Sequence, residues 1–432
     1  MRPDLPWFSR RAIASGAIAL LAAGALAACS SGGGPSVSSG SDTAAQGSTT
    51  GPITIGASLS LHGQFQSDGV AFERGYELWA HDVNAAGGIM GRQVKLKILD
   101  NDSSQSEVVA DYQTLIGTDH VDLAFGPYSS LLTTPASEVA ARFGMAMIEG
   151  AGGAPSVFDT PSNQADHNVF DVSLPIAAEM APFVNYLASQ YPIAQRQNLT
   201  IAYPMAQDPF ADPPVEAAQT ELTQLGFTNT VYSDIFPENG SYGQVATQVA
   251  GLEPDVVILG SADIGTVQQF MSAFEHKAYA PKLFIAAAGP DQGASFTSAV
   301  SAGDANGMMV PDGWYPGFQN KTSEKMVGEY VAKYGGTAND VNADVAEAYS
   351  VGQVAALAIT ATGGTDNARI ISYLHSGVTL QTVQGAVKFD PLGENGAAPA
   401  FVFQWQGSDF AQVLPAKAAG SRQAISKSAW TS

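Results

Sequence analysis

D-V-N-A-A-G-G-I-M-G-R-Q-V-K-L-K-I-L-D-N-D, residues Asp82 to Asp102, is the stretch whose reading decides the architecture. It reads as the end of a helix, a glycine stop, a turn, and a strand that finishes in acids and an amide. Just upstream, Phe72, Tyr76, Trp79 and Val83 recur at i, i+4, i+7 and i+11, which is one face of a helix. Gly87-Gly88 stops that helix, because glycine takes the left-handed C′ geometry without a Cβ clash. Ile89 and Met90 are placed to fold back on the last turn, and Gly91 makes the next bend. Val94, Leu96 and Ile98 then alternate with Lys95 and Lys97 as a strand.

Outward from this junction the same alternation continues. The apolar run 53–59 predicts a strand, followed by a helix over 70–86 and the strand 94–99. Ser104-Gln105-Ser106-Glu107 is a capping box. It opens a helix with Val108, Tyr112, Leu115 and Ile116 on one face. A strand is expected at 121–125. Thr134-Pro135 reads as an N-cap followed by proline at the first helical position, which predicts a helix over 135–143. A strand at 146–148 follows. The rhythm restarts with a strand at 169–173 and a helix at 177–189. Strands are expected at 199–203, 231–236, 255–260 and 282–287, with helices at 213–225, 242–252 and 265–279 between them. A strand at 307–311, helices at 344–362 and 367–376 and a strand at 401–406 complete the reading. Repeated βα alternation means parallel sheets with helices on both faces. Two consecutive runs predict an α/β protein of two similar, Rossmann-like lobes.

The composition agrees. A chain of 432 residues exceeds one ordinary core and suffices for two. Apolar residues make up 45%, enough for a globular interior, whereas charged residues are only 14%, so the surface leans on Ser, Thr, Asn, Gln and Gly. The formal charge of −21 argues against nucleic acid as a partner, since phosphates would be repelled, and fits a soluble acidic protein. Six histidines, at 62, 81, 120, 167, 276 and 375, do not pair at metal-ligand spacing, so no metal or cofactor is implied. His62 is the one nearest the first loop.

The amino terminus reads as a targeting segment. Arg2, Arg10 and Arg11 precede an uncharged run from Ala12 to Ala28, short for a spanning helix and right for the apolar core of a signal peptide. Leu26-Ala27-Ala28-Cys29 resembles a bacterial lipobox, in which the chain is cut before the cysteine and the thiol is lipidated. Cys29 is the single cysteine, so no intramolecular disulfide forms. Ser9-Arg10-Arg11 also resembles a twin-arginine export signal, so both export routes stay open. Losing residues 1–28 removes three Arg and one Asp and takes the charge from −21 to −23. Residues 30–50 are Ser, Gly or Thr at 15 of 21 positions, too polar to order themselves. As a coil they reach about 25 Å, at roughly 5–6 Å times the root of the length, which makes a tether.

Four phrases, in this order and spacing, resemble the leucine/isoleucine/valine-binding family, the type 1 periplasmic binding proteins that serve ABC importers. They are D-V-N-A-A-G-G-I-M-G-R, the G-P-Y-S-S…T-P-A-S block at Gly126–Ser137, Ala154-Pro155, and D-V-A-E-A-Y at Asp344–Tyr349. The resemblance runs from about Pro52 to Pro415. It implies that the chain crosses between lobes three times. Lobe one is then 52–172 plus 313–396, lobe two is 173–312 plus 397–418, and 419–432 is a C-terminal tail. The crossings form a hinge, and the ligand lies between the carboxyl ends of the two sheets. The implied function is a monomeric, lipid-anchored receptor on the outer face of the bacterial cell membrane. It captures a small molecule by hinge closure for an ABC permease and needs no cofactor.

Candidate ligand-binding residues follow from the loops. Ser129 and Ser130 stand between a strand and a helix, where hydroxyls and N–H groups seat a carboxylate; turn and capping duty is the alternative. The resemblance implies that Ser130 matches a carboxylate-contacting serine of amino-acid-binding members. In the loop Glu149–Pro155, glycine lets the backbone approach a ligand at Ala151 and Gly153, but Gly153 replaces the family's threonine anchor. Asp68 stands where the family has an aromatic residue, with Phe65 close by; Asp68 also suits a helix N-cap. Ala262, beside Asp263, replaces a tyrosine. The family's ammonium-pairing glutamate falls near Ala288, with Asp291 the nearest acid. Phe210 aligns with an aromatic lid, and Trp314 and Tyr315 lie at a crossing, where aromatics sandwich a planar ligand or pack between lobes. The clamp for a zwitterion is thus incomplete on both sides, and a buried ammonium without its carboxylate costs several kcal/mol. Either Asp291 substitutes, or the ligand is an amide, a small carboxylate or an aromatic compound.

Two other functions use the same residues. A ligand sensor reporting to a membrane receptor differs only in its partner. A hydrolase would use Ser129 or Ser130 as nucleophile with Glu149 or Asp291 as base, yet no G-x-S-x-G elbow is present and no histidine is placed by motif.

Overall fold

The structure is a computed structural model describing residues 51–237, 242–317, 320–418, 420–427 and 429–430. The signal segment, Cys29 and the tether lie outside the described residues.

An uninterrupted apolar run becomes the centre of the first sheet. Strand β1, Ile53–Leu59, is buried at all but one position, as a strand covered on both faces must be. It is flanked by β2, Val94–Asp100, and β3, Leu123–Phe125; β4, Met147–Glu149, and β5, Val169–Asp171, complete an all-parallel sheet in the order β2-β1-β3-β4-β5. The second sheet is built from β6 (Ile201–Ala206), β7 (Thr230–Phe236), β8 (Val256–Leu259), β9 (Leu283–Ala286) and β10 (Met308–Asp312). A hairpin of β11 (Leu380–Thr382) and β12 (Gly385–Val387) stands apart. Strands β13 (Phe401–Gln406) and β14 (Asp409–Leu414) then extend the second sheet antiparallel, in the order β14-β13-β10-β9-β8-β6-β7. The chain therefore passes between the sheets three times: after β5, after β10, and before β13.

Period-two alternation divides the second core between its two faces. Ala202, Ala206, Val257 and Leu259 pack on one side, and Ile201, Tyr203, Val256 and Ile258 on the other. The first sheet has one continuous core, to which the helices Gln66–Ala85 and Ala343–Thr362 contribute. These two helices approach closely because Gly75 faces Ala348 and Val345, and Gly352 faces the indole of Trp79. The junction at 82–102 forms as read: Gly87 and Gly88 take φ of +102° and +81°, and Gly88 N–H bonds Val83 O at 2.8 Å. Ile89 folds in, but Met90 points out and is 57% exposed.

Three expectations are corrected. The helix expected at 135–143 begins five residues earlier, as Ser130–Arg142, with Pro135 inside it. Proline leaves the carbonyl of Leu131 without its helical N–H, and the Gln105 side-chain amide supplies that donor at 3.2 Å. The helix expected at 177–189 is broken at Met180 into Ile176–Glu179 and Ala181–Gln190, because Pro182 has no N–H to continue the ladder. The first helix starts at Gln66, so Asp68 lies inside its first turn and Phe65 holds the N-cap position. Asp68 is not the cap.

Candidate ligand site

The loops leaving the carboxyl ends of both sheets meet around a cavity of about 70 Å³. From the first sheet come Tyr128 and Ser129 after β3, Gly150, Ala151 and Gly153 after β4, and Ser173 after β5. From the second come Phe210 after β6, Ala262 after β8, Ala288 and Asp291 after β9, and Asp312 closing β10. The first turns of Ala343–Thr362 add Asp344 and Glu347. A neighbouring cavity of about 220 Å³ shares Asp291, Asp312 and Ala343 and is further lined by Trp314, Tyr315 and Arg422.

Of the expected residues, Ser129, Ala151, Gly153, Phe210, Ala262 and Asp291 line the first cavity. Phe210 is half-buried and packs against the cores of both sheets. Its loop is held by Asp208, whose Oδ1 accepts the Phe210 N–H at 2.7 Å. Ser130 lies just behind, fully buried, with its Oγ accepting the Ala154 N–H at 3.2 Å. Phe65 is a core residue, its ring 5.7 Å from that of Tyr128. Asp68 is also buried behind the wall, against Tyr128. Trp314 is 1% exposed, donates from Nε1 to Ser323 Oγ at 3.0 Å, and borders only the second cavity. Tyr315 packs its ring on Phe401 and Phe403.

The carboxyl groups dominate the electrostatics. Burial pushes Glu149 well above the usual carboxylate range, and neighbouring Asp171 pushes it further. Its Oε2 accepts the N–H groups of Ala151 and Gly152 at 2.8 and 2.5 Å. Burial raises Asp171 to about 7 and Asp291 to about 6. Asp344 is raised to about 8, by burial and then by Asp291, although its Oδ2 accepts from Gln292 and Asn342. Glu179, Asp312 and Glu347 are all displaced upward, each by enclosure first and then by other acids. Sequence reasoning missed these last three and Asp344 as site residues. The signal present was two acids at i and i+3, Asp344 and Glu347, heading an otherwise apolar helix.

Ser129 Oγ and Glu149 Oε1 have no hydrogen-bond partner among the described residues. Glu149 spends its other oxygen on backbone N–H groups, so no serine–base pair is formed. One further cluster, His62 with Asp100 and Asp102, brings three possible ligand atoms within 4.8 Å of one another. All three residues are exposed, and it lies apart from the cavity wall.

Comparison with known proteins places the chain. Residues 52–411 match the periplasmic binding protein family. An amino acid binding protein of Pseudomonas aeruginosa is 23% identical over 375 residues, covering 84% of this chain and 92% of that protein. Among solved structures, the branched-chain amino acid transporter substrate binding protein LivJ of Streptococcus pneumoniae, in complex with isoleucine, superposes with a TM-score of 0.71 at 18% identity, over 83% of this chain and 97% of that one. A solute binding protein of R. palustris in complex with benzoate gives 0.69 at 15% identity, over 87% and 99%. The chain belongs to the periplasmic binding protein family, whose members work outside the cytoplasm. Among the described residues no helix is long and apolar enough to cross a membrane.

Proposed function

We propose that this chain is a lipid-anchored, monomeric receptor that closes lobe one (52–172 plus 313–396) on lobe two (173–312 plus 397–418) around its ligand. The observation that carries this reading is the composition of the cavity wall, which draws on the strand ends of both sheets. A ligand that touches both sides stabilises the shut arrangement, whereas one that touches a single side shifts nothing. Ser129, Ala151, Gly153, Phe210, Ala262 and Asp291 face the ligand, with Phe65, Asp68 and Ser130 supporting them from behind and Trp314 at the adjoining cavity. The permease then reads the shut surface. No cofactor enters this scheme and no covalent chemistry is assigned to Ser129 or Ser130. A sensory partner in place of the permease would use the same closure.

Small-angle scattering on the mature protein tests the hinge. A compound that raises stability by about 2.7 kcal/mol at a hundredfold excess over its Kd should also shrink the radius of gyration. Binding without any change in dimensions would refute closure. Anchoring is tested separately: Cys29→Ser should move the protein from the membrane fraction to the soluble one, and retention at the membrane counts against a lipidated Cys29.

A further inference from the structure

Among the described residues, the wall of the first cavity is lined by five carboxyl groups, from Glu179, Asp291, Asp312, Asp344 and Glu347, and by no Lys, Arg or His. Two more, Asp68 and Asp171, are buried behind it. Acidity alone is no site, but two independent features show what this one lacks. The first is Glu179. It is 7% exposed, it lines the cavity, and its Oε2 has no hydrogen-bond partner among the described residues. A carboxyl oxygen removed from water and left without a donor is costly, so the position calls for a ligand that donates.

The second feature is a seat partly filled. A carboxylate seated against this wall would draw on backbone N–H groups of the loop after β4 and on serine hydroxyls. Here the Ala151 and Gly152 N–H groups point at the chain's own Glu149, while Ser130 Oγ accepts the Ala154 N–H and keeps its own hydrogen to donate. An anionic ligand would meet carboxyl groups on every side, and two N–H groups of the loop after β4 are already taken.

The acids are also distributed. Asp291 and Asp312 project from strand ends of the second sheet, and Glu179 sits on the segment leading into it; Asp344 and Glu347 head a helix packed on the first core. Five carboxyl groups on two sides outnumber the charge that one cationic group carries. Building on the receptor reading above, we propose that the ligand is a small organic dication, with an amine or guanidinium group at each of two ends and no carboxylate. Each end would pair with the acids of one side, so the same contacts that bind the ligand would draw the sides together.

Calorimetric titration of the mature protein tests this with three sets of probes. The first is 1,4-diaminobutane, 1,5-diaminopentane and 4-guanidinobutylamine; the second is leucine, glutamate and benzoate; the third is Mg²⁺, Ca²⁺ and Mn²⁺. The expected result is a Kd in the micromolar range for at least one dication, at least a hundredfold tighter than for any carboxylate. Glu179→Gln and Asp312→Asn should each weaken that dication tenfold or more. Both changes are near-isosteric and remove a buried charge, so an unchanged or raised melting temperature certifies the fold. Unchanged affinity in both variants overturns the proposal, as does tighter binding of a carboxylate or of a metal ion alone. Scattering separates the two levels of failure. If leucine compacts the protein and no dication does, the dication is wrong and the receptor reading stands; if no probe binds or alters the dimensions, both fall.

Discussion

At the scale of single residues, Gly352 and Gly328 make opposite demands. Both sit in helices, where glycine is ordinarily worse than alanine by roughly 0.5–1 kcal/mol. A Cβ on Gly352 would overlap the indole of Trp79, whose ring is itself wedged against Phe125. Around Gly328 there is open space. Gly352→Ala should therefore lower stability by about 1–3 kcal/mol through overpacking, while Gly328→Ala raises it by about 0.5–1 kcal/mol, both read from denaturant midpoints. The residues of the site were legible in proportion to how oddly they sat in their loops. Gly153 and Ala262 stood out because they depart from the anchors that the family resemblance implies, and Asp291 because it is the acid nearest the position of the missing glutamate. Glu179, Asp312, Asp344 and Glu347 did not, because each reads locally as an ordinary helix or turn acid. Only the fold brings them around one cavity from distant parts of the chain. Phe65 and Trp314 show the converse: an aromatic residue near a loop is as easily a core residue, and sequence has no means of separating the two uses.

At the scale of elements, the strands were the most legible parts. Those buried on both faces must be nearly continuous apolar runs, and β1 and β13 occupy the spans read for them. Helix boundaries failed where the deciding contact is tertiary. Thr134-Pro135 carries the signature of a helix start, yet the Thr134 hydroxyl bonds back to Ser130 O at 2.9 Å and the carbonyl freed by Pro135 is met by Gln105 from another helix. Nothing local announces that rescue. The helix Lys321–Tyr334 was absent from the expectations although its signals are in the sequence. Asn320 caps it, Met326, Val327 and Tyr330 share its buried face, and Gly335 ends it at φ +82°. Strand β14 and the hairpin of β11 and β12 are short and mixed in polarity, and their identity comes from pairing across the sheet or turn.

At the scale of the whole molecule, the enclosed acids set the response to pH. A carboxyl whose pKa is raised on folding favours the folded state fully below its ordinary value of 3.8, and that contribution is lost as pH climbs through the folded pKa. Asp291, Asp171 and Asp344, raised by burial to about 6, 7 and 8, place the loss between pH 5 and 8. Asp82, Asp100 and Asp255 are held below their usual range by hydrogen bonds that outweigh burial, so they titrate beneath this window and do not oppose it. The protein without ligand should accordingly melt at a lower temperature at pH 8 than at pH 5.5 by calorimetric scanning. A melting temperature that rises over this interval would show that these acids are paired in the free protein.

At the mouth of the cleft, side chains of the two sides meet directly. Gln64 Nε2 donates to Asp263 Oδ2 at 2.8 Å, Ser67 and Ser295 share a hydroxyl bond at 3.0 Å, and Gln292 joins Asn342 and Asp344. Each such clasp contributes only about 0.5–1.5 kcal/mol. On the closure proposed above, together they would fix how often an unladen receptor rests shut, and hence how often a transporter is knocked on by an empty hand. Tighter clasps would bar the guest's entry as well as raise the false knocks, so weak polar contacts at the rim suit such a device.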